Sequence, residues 1–94
     1  MRECDVEKAI CDYVKKKGGI AYKFTSPQRR SVPDRMVLLP RGVVLFIEFK
    51  APGKKPTESQ EREMLRMQQL GQFTYVIDDI VAGKVLIDGY SQQD

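Results

Sequence analysis

The chain has 94 residues, of which 41% are hydrophobic and 31% are charged, and its net charge is +3. This length fits one domain, and the composition is ordinary for a soluble globular protein. No apolar run is long enough to span a bilayer and the N-terminus is too charged for a signal peptide, so we expect a cytoplasmic protein with no membrane partner. The mildly basic charge alone is weak evidence for nucleic-acid binding.

The chain has no histidine and only two cysteines, Cys4 and Cys11. Two helical turns would separate their thiols by about 10 Å, too far for a disulfide, and a zinc site is not expected without histidine. We interpret both as core-facing or half-buried thiols. Because the usual general base is missing, any catalysis has to rely on carboxylates, lysine, tyrosine or a metal ion.

The first predicted element is a helix over residues 5–17, where apolar residues recur at helical spacing. Its apolar stripe consists of Val6, Ala9, Ile10, Tyr13 and Val14. Gly18 and Gly19 are typical of a helix end. A short strand over residues 20–24 follows, and the polar, basic stretch 25–32 predicts a loop.

Two further strands are predicted over residues 34–39 and 43–50, joined by a turn at residues 40–42. Pro-Arg-Gly favours a three-residue hairpin loop in which proline opens a type I turn and glycine takes the left-handed position. In this register Leu39 pairs with Val43. Five residues further from the turn on each strand, Asp34 lies directly opposite Glu48. A two-residue loop would instead place the two carboxylates on opposite faces.

A second basic loop over residues 51–56 leads to a second helix. Thr57 predicts its N-cap, and Gln60 three residues later completes a capping box. The helix is predicted to end near Leu70, with Gly71 as its cap. Its apolar residues are expected in the core, with some available for a dimer contact: Met64, Leu65, Met67 and Leu70.

The C-terminal part predicts a strand over residues 73–77, a short helix or turn over 78–83 and a short fifth strand over 85–87. From about residue 89 the tail is expected to fray. The resulting αβββαβ order predicts one α/β domain over residues 1–94, with a mixed central sheet flanked by helices.

The predicted meeting of Asp34 and Glu48 requires a physical reason, because like charges directly opposite each other are destabilising. A magnesium or manganese ion between two carboxylates would supply it. Lys50 lies on the same face as Glu48, since side chains alternate along a strand. It could hold a phosphate or orient a water, which suits metal-assisted hydrolysis of a phosphodiester. The alternative is an ordinary solvated ion pair between Glu48 and Lys50.

The ordered motifs resemble those of a nuclease superfamily. Pro33-Asp34, thirteen intervening residues and Glu48-Phe49-Lys50 are similar to the PD-(D/E)xK motif. More narrowly, the chain resembles a stand-alone VRR-NUC domain, the virus-type replication-repair nuclease module, over almost its whole length. An early-helix glutamate, a Gly-Lys-rich loop and a glutamine in the second helix carry this narrower resemblance. It implies a restriction-endonuclease-like fold and a Mg²⁺- or Mn²⁺-dependent DNA endonuclease.

Position by position, the resemblance implies that Asp34 and Glu48 bind the metal ion. The backbone carbonyl of Phe49 would be a third ligand. Lys50 would position or activate the attacking water and stabilise charge on the phosphate.

Two helical residues complete the implied site. Glu7 would assist from the first helix through a water or a second metal ion, and it is otherwise a solvated helix glutamate. Gln60 would touch the site from the second helix in addition to its capping role.

Basic residues flank the predicted site in sequence. Arg29 and Arg30 precede Asp34, and Lys54 and Lys55 follow Lys50. Arginine in particular suits contacts with DNA phosphates, whereas a lone charge pair in a loop is usually solvated.

Lys23 is a weaker DNA-binding candidate of the same kind. The resemblance further predicts a homodimer that cuts four-way junctions, as a Holliday junction resolvase does, because two symmetric sites suit two symmetric cuts. The alternatives are a flap or nicking nuclease that needs a partner protein, a non-catalytic nucleic-acid-binding module, and a small structural or antitoxin-like domain.

Overall fold

The structure, a computed structural model, describes residues 1–91 and is a mixed α/β fold. In chain order its elements are α1 (Glu3–Lys16), β1 (Ile20–Lys23), β2 (Arg35–Leu39), β3 (Val43–Phe49), α2 (Glu58–Gln69), β4 (Phe73–Ile77) and α3 (Ile80–Ser91). The predicted α/β class and the αβββαβ order are confirmed.

The four strands form one sheet in the order β1-β2-β3-β4. The first two pairings are antiparallel, as in a meander, whereas β3 and β4 run parallel. A parallel pair needs a long crossover connection, and α2 provides it. The sheet is therefore mixed, as predicted.

The register between β2 and β3 is the predicted one: Leu39 lies opposite Val43 and Arg35 lies opposite Ile47. The turn type, however, is not type I. Arg41 has φ +68° and Gly42 has φ +78°, so both residues are left-handed rather than glycine alone. Left-handed turn residues match the right-handed twist of the flanking strands, which type I geometry would splay.

The two faces of the sheet are covered by different helices. On one face, α1 and α3 enclose the main core together with residues of β2, β3 and β4. Its buried members are Val6, Ile10, Val14, Val37, Leu39, Leu45, Ile47, Phe49, Ile77 and Ile87. On the other face α2 lies against β4, where Met64 is buried and the Gln68 amide donates to the Thr74 hydroxyl. Phe46 and Glu48 belong to this second face.

The predicted fifth strand is wrong, because residues 80–91 form the single helix α3. Asp79 caps it by accepting a hydrogen bond from the Ala82 N–H at 2.8 Å. An apolar run such as Val85-Leu86-Ile87 fits a buried helix as well as a strand, and here Ile87 is buried against α1. The expected fraying does not hold for residues 89–91, which belong to α3, and residues 92–94 lie outside the described range.

The predicted helix ends are largely confirmed. Both hydrogen bonds of the Thr57–Gln60 capping box are present, at 2.9 and 3.1 Å. Gly71 has φ +88° and, with Gln72, bonds back to α2 in a Schellman motif. The first helix begins at Glu3, two residues earlier than predicted, because the Asp5 carboxylate accepts the Arg2 N–H.

Both cysteines are free, as expected, but their burial differs from the prediction for one of them. Cys11 is half-buried, whereas Cys4 is exposed in the first turn of α1. None of the helices in residues 1–91 combines the length and the apolar character that crossing a membrane requires.

Candidate active site

Asp34 and Glu48 come from neighbouring strands at one end of the sheet. The register places position 34 opposite position 48, one step beyond the last described pair. The Asp34 carboxylate accepts a hydrogen bond of 2.9 Å from the Phe49 N–H. Its own carbonyl accepts the Phe24 N–H, so Asp34 is held from both sides.

Glu48 is almost completely buried, with 2% of its surface exposed. Its Oε2 atom accepts a hydrogen bond of 2.9 Å from the Gln60 amide and lies 3.3 Å from Nζ of Lys50. Its Oε1 atom is buried and has no hydrogen-bond partner within the described chain. A buried carboxylate oxygen without a partner is costly, and a cation bound there would remove that cost.

Burial, together with the charge of Asp34, raises the pKa of Glu48 from its ordinary 4.5 to about 7. Lys50 opposes both effects. Without a cation, Glu48 is therefore partly protonated near neutral pH. A bound divalent ion would reverse this preference because it favours the charged carboxylate.

The donor set fits magnesium or manganese. Both carboxylates supply hard oxygen ligands. The N–H and C=O of a strand residue point to the same neighbouring strand, so the Phe49 carbonyl points to the side on which its N–H meets Asp34. Residues 1–91 contain no cluster of three or more Asp, Glu, Cys or His side chains that could hold a metal ion. Such a small protein ligand set suits Mg²⁺, which usually keeps several of its waters.

Comparisons with known proteins identify the family and the fold of the chain. A curated protein of Acyrthosiphon pisum secondary endosymbiont phage 1, named "Putative nuclease p44", is 54% identical over 78 residues, which are 83% of this chain and 84% of that protein. No family model matches the chain. A solved structure described as a "VRR_NUC domain" superposes with a TM-score of 0.86 at 32% identity, over 94% of this chain and 96% of that one.

The chain belongs to the VRR-NUC family. The resemblance drawn from its motifs is confirmed, and so is the nuclease-like fold.

Gln60 contacts Glu48 of the carboxylate pair while it caps α2. Its amide oxygen accepts the Thr57 N–H, and its amide nitrogen donates to Glu48. The two roles considered for this side chain are thus geometrically compatible. The capping box fixes the rotamer from which Gln60 holds the buried carboxylate.

The described contacts of residues 1–91 pair Glu7 with Arg35 and not with Asp34 or Glu48. The Glu7 carboxylate lies 2.7 Å from the guanidinium of Arg35, which also donates to the Ala21 carbonyl. Arg35 is two residues before Val37 on β2, so both side chains lie on the face of the sheet that carries the main core. Arg35 therefore faces α1.

Glu3, one helical turn before Glu7, was not among the site residues predicted from the sequence. Its charge contributes to the raised pKa of Glu48. The predicted helix began at residue 5, so Glu3 was placed outside it. The signal was the spacing of four residues, which puts Glu3 and Glu7 on one side of α1.

Four of the five predicted DNA-binding residues lie on two sides of α2. Arg29 forms an ion pair of 3.2 Å with Glu63, and Arg30 lines the same groove beside α2. Lys54 and Lys55 line a separate cavity of about 540 Å³ between α2 and β4.

Lys23 is exposed at the end of β1. None of the five basic candidates has a described contact with Asp34 or Glu48 in residues 1–91.

Proposed function

We propose that this VRR-NUC domain is a Mg²⁺- or Mn²⁺-dependent, structure-selective DNA endonuclease. The observation that supports it best is the buried, unpartnered Oε1 of Glu48 beside a second carboxylate. A surface ion pair, the alternative considered for Glu48 and Lys50, would not be buried. A purely phosphate-binding module would gain nothing from buried acids that repel its ligand.

Asp34, Glu48 and the Phe49 carbonyl would hold the ion in this proposal. When bound, it would supply Lewis-acid stabilisation of the phosphoryl oxygens and a water of lowered pKa. Lys50, whose ammonium lies 3.3 Å from Glu48, would orient the water for in-line attack on phosphorus and stabilise the charge that develops on the phosphate. No covalent intermediate is expected, because the described contacts of Asp34, Glu48 and Lys50 in residues 1–91 include no activated nucleophile.

The helices would play supporting parts. Gln60 would keep Glu48 in its binding rotamer through their hydrogen bond. Glu7 would act through a water or a second ion only after leaving Arg35, and the charge of Glu3 contributes to the raised pKa of Glu48 from the same helix.

The test compares wild type with Asp34→Asn on a labelled four-way junction, in Mg²⁺, in Mn²⁺ and with a chelator. We expect cleavage by wild type with either metal, loss with the chelator, and at least about a hundredfold loss in Asp34→Asn, since the ligand charge is removed without changing its size. Asp12→Asn is the matched control, because Asp12 is an exposed α1 carboxylate paired with Lys8. Equal cleavage by Asp34→Asn and wild type would overturn the proposed site.

We further propose a homodimer with four-way junctions as its DNA partner, acting in the cytoplasm of a bacterial or phage-infected cell. A twofold pair of sites would place cuts symmetrically, and the exposed apolar residues Leu65 and Val76, which line one cavity, offer a surface for pairing. Junction, flap and duplex substrates compared in one assay test this choice. Paired cuts confined to the junction support it, and preferred flap cleavage replaces it with the flap-nuclease alternative.

A further inference from the structure

A groove rich in arginine runs along the side of α2 that faces the loop before β2. It has a volume of about 480 Å³ and is lined by four arginines against a single carboxylate, that of Glu63. The arginines are Arg29, Arg30, Arg62 and Arg66, which we call the arginine groove. Its remaining lining is mainly hydroxyl and amide groups, so it has hydrogen-bond donors but little apolar surface.

The arginine groove uses a different face of α2 from the one that touches Glu48. Arg62 and Arg66 are one turn apart, so their side chains lie on the same side of the helix. Gln60 and Met64, also one turn apart, face the sheet instead. The second helix therefore serves the carboxylate pair with one face and lines the groove with another.

Two of the four arginines have no described partner among residues 1–91. Arg29 is paired with Glu63, and Arg62 is paired with Glu58 at 2.7 Å. Arg30 and Arg66 are exposed and form no hydrogen bond or ion pair with residues 1–91. A guanidinium with unused donors is well suited to bidentate binding of phosphate.

The arginine groove begins beside the candidate active site and leads away from it. The Ser31 and Ser59 hydroxyls contact each other across its near end. Ser59 is adjacent to Gln60, which holds Glu48, and Ser31 precedes Asp34 by three residues. The groove then follows α2 for about 15 Å, at 1.5 Å per residue. This length corresponds to roughly four phosphates of one DNA strand.

We infer that the arginine groove binds the phosphate backbone of the DNA strand that continues from the scissile bond. This inference rests on the proposed nuclease function and adds the path of the flanking strand, with Arg62 and Arg66 as contacts beyond those predicted from the sequence. Binding through phosphates is independent of base sequence, as a structure-selective enzyme requires.

The test uses Arg30→Gln/Arg66→Gln, which removes two arginines that hold nothing else in place. The control is Lys15→Gln/Lys16→Gln, which removes two exposed cations from the last turn of α1, across the sheet. Binding of a fluorescent four-way junction is measured in Ca²⁺ at several salt concentrations. Cleavage rates are measured separately in Mg²⁺.

We expect the arginine variant to bind the junction at least about tenfold more weakly than wild type. The slope of log binding constant against log salt concentration should be shallower by about two. The control should stay within about twofold of wild type. Cleavage at saturating DNA should keep its kcat while KM rises, because neither arginine touches the carboxylates. Equal binding by the two double variants would overturn the inference.

The outcomes separate this inference from the proposed function. If wild type cleaves junctions and the arginine variant binds like the control, the inference fails and the nuclease assignment stands. If DNA binding depends on the arginines but no cleavage occurs with either metal, DNA binding by the arginine groove is supported, whereas the enzymatic proposal and the path from a scissile bond both fail. If wild type binds no DNA, both fail.

Discussion

Glu48 is a carboxylate in an unfavourable place for a protein without a bound cation. It is buried, it adjoins Asp34, and one of its oxygens lacks a partner. Gln60 and Lys50 contact only the other oxygen. Several destabilising features on one residue are typical of functional sites, where the residues that perform the function lower the stability of the fold.

The metal-free protein should lose stability as the pH rises through the range in which Glu48 ionises. Its pKa is about 7 in the folded protein against an ordinary 4.5, so the folded state holds more protons than the unfolded state between these values. The free energy of unfolding therefore falls with rising pH across this window, by up to about 3 kcal/mol. Above pH 7 the full loss is present.

Glu48→Gln should remove this pH dependence. At pH 8 in a chelator, the variant should unfold at a higher denaturant concentration than wild type. Chemical denaturation from pH 4.5 to 8 measures it, with Glu61→Gln, an exposed α2 residue, as the control. Adding Mg²⁺ should stabilise wild type and the control but not Glu48→Gln. If the free energy of unfolding changed with pH in the same way in all three proteins, burial of the Glu48 charge would not be the source of the pH dependence.

At the scale of elements, α3 depends on the absence of a side chain at Gly83. A Cβ atom there would lie 2.5 Å from Cδ1 of Ile10 and 2.9 Å from Cγ2 of Ile77. Ile10 is fully buried in the main core and has little room to move. The glycine thus permits α1, α3 and β4 to pack closely, although glycine is a weak helix former.

Gly83→Ala should therefore lower the free energy of unfolding by about 1–2 kcal/mol, because overpacking outweighs the better helix propensity of alanine. Gly89→Ala is the internal control in the same helix. Nothing lies within 4 Å of a Cβ at Gly89, so this variant should be neutral or slightly stabilised. Thermal unfolding of both variants measures the difference, and a gain in stability for Gly83→Ala would contradict the packing argument.

At the scale of the whole molecule, the sheet ends at β4, whose outer edge has no described strand partner in residues 1–91. Leu65 and Val76 line the cavity beside this edge, and both are exposed. Contiguous exposed apolar residues of this kind mark interaction surfaces. We therefore place the proposed dimer contact here.

Leu65→Lys should convert the proposed dimer to a monomer, because a charge would be buried at the contact without a partner. Val81→Lys is the control: Val81 is 70% exposed on α3, compared with 53% for Leu65 on α2. Sedimentation velocity measures both variants. Dissociation by Val81→Lys alone would move the contact to α3, and a wild-type monomer would exclude the dimer.

Local signals in the sequence determined much of this protein. The length of the loop was enough to predict the β2–β3 register, and with it the meeting of Asp34 and Glu48 at one end of the sheet. The capping box at Thr57 and the glycine at position 71 marked the ends of α2 correctly. These features depend on hydrogen bonds between residues that are close along the chain, so a short stretch of sequence contains them.

Only the tertiary structure decided the features that depend on distant partners. The apolar run at residues 85–87 became helix because Ile87 packs against α1, and an apolar run by itself has no preference between the two. Glu7 forms an ion pair with Arg35. Glu3 is the α1 carboxylate whose charge contributes to the raised pKa of Glu48. Arg62 and Arg66 became part of a groove only when the loop before β2 lay beside α2, because a charge acquires its neighbours through folding and not through its position in the sequence.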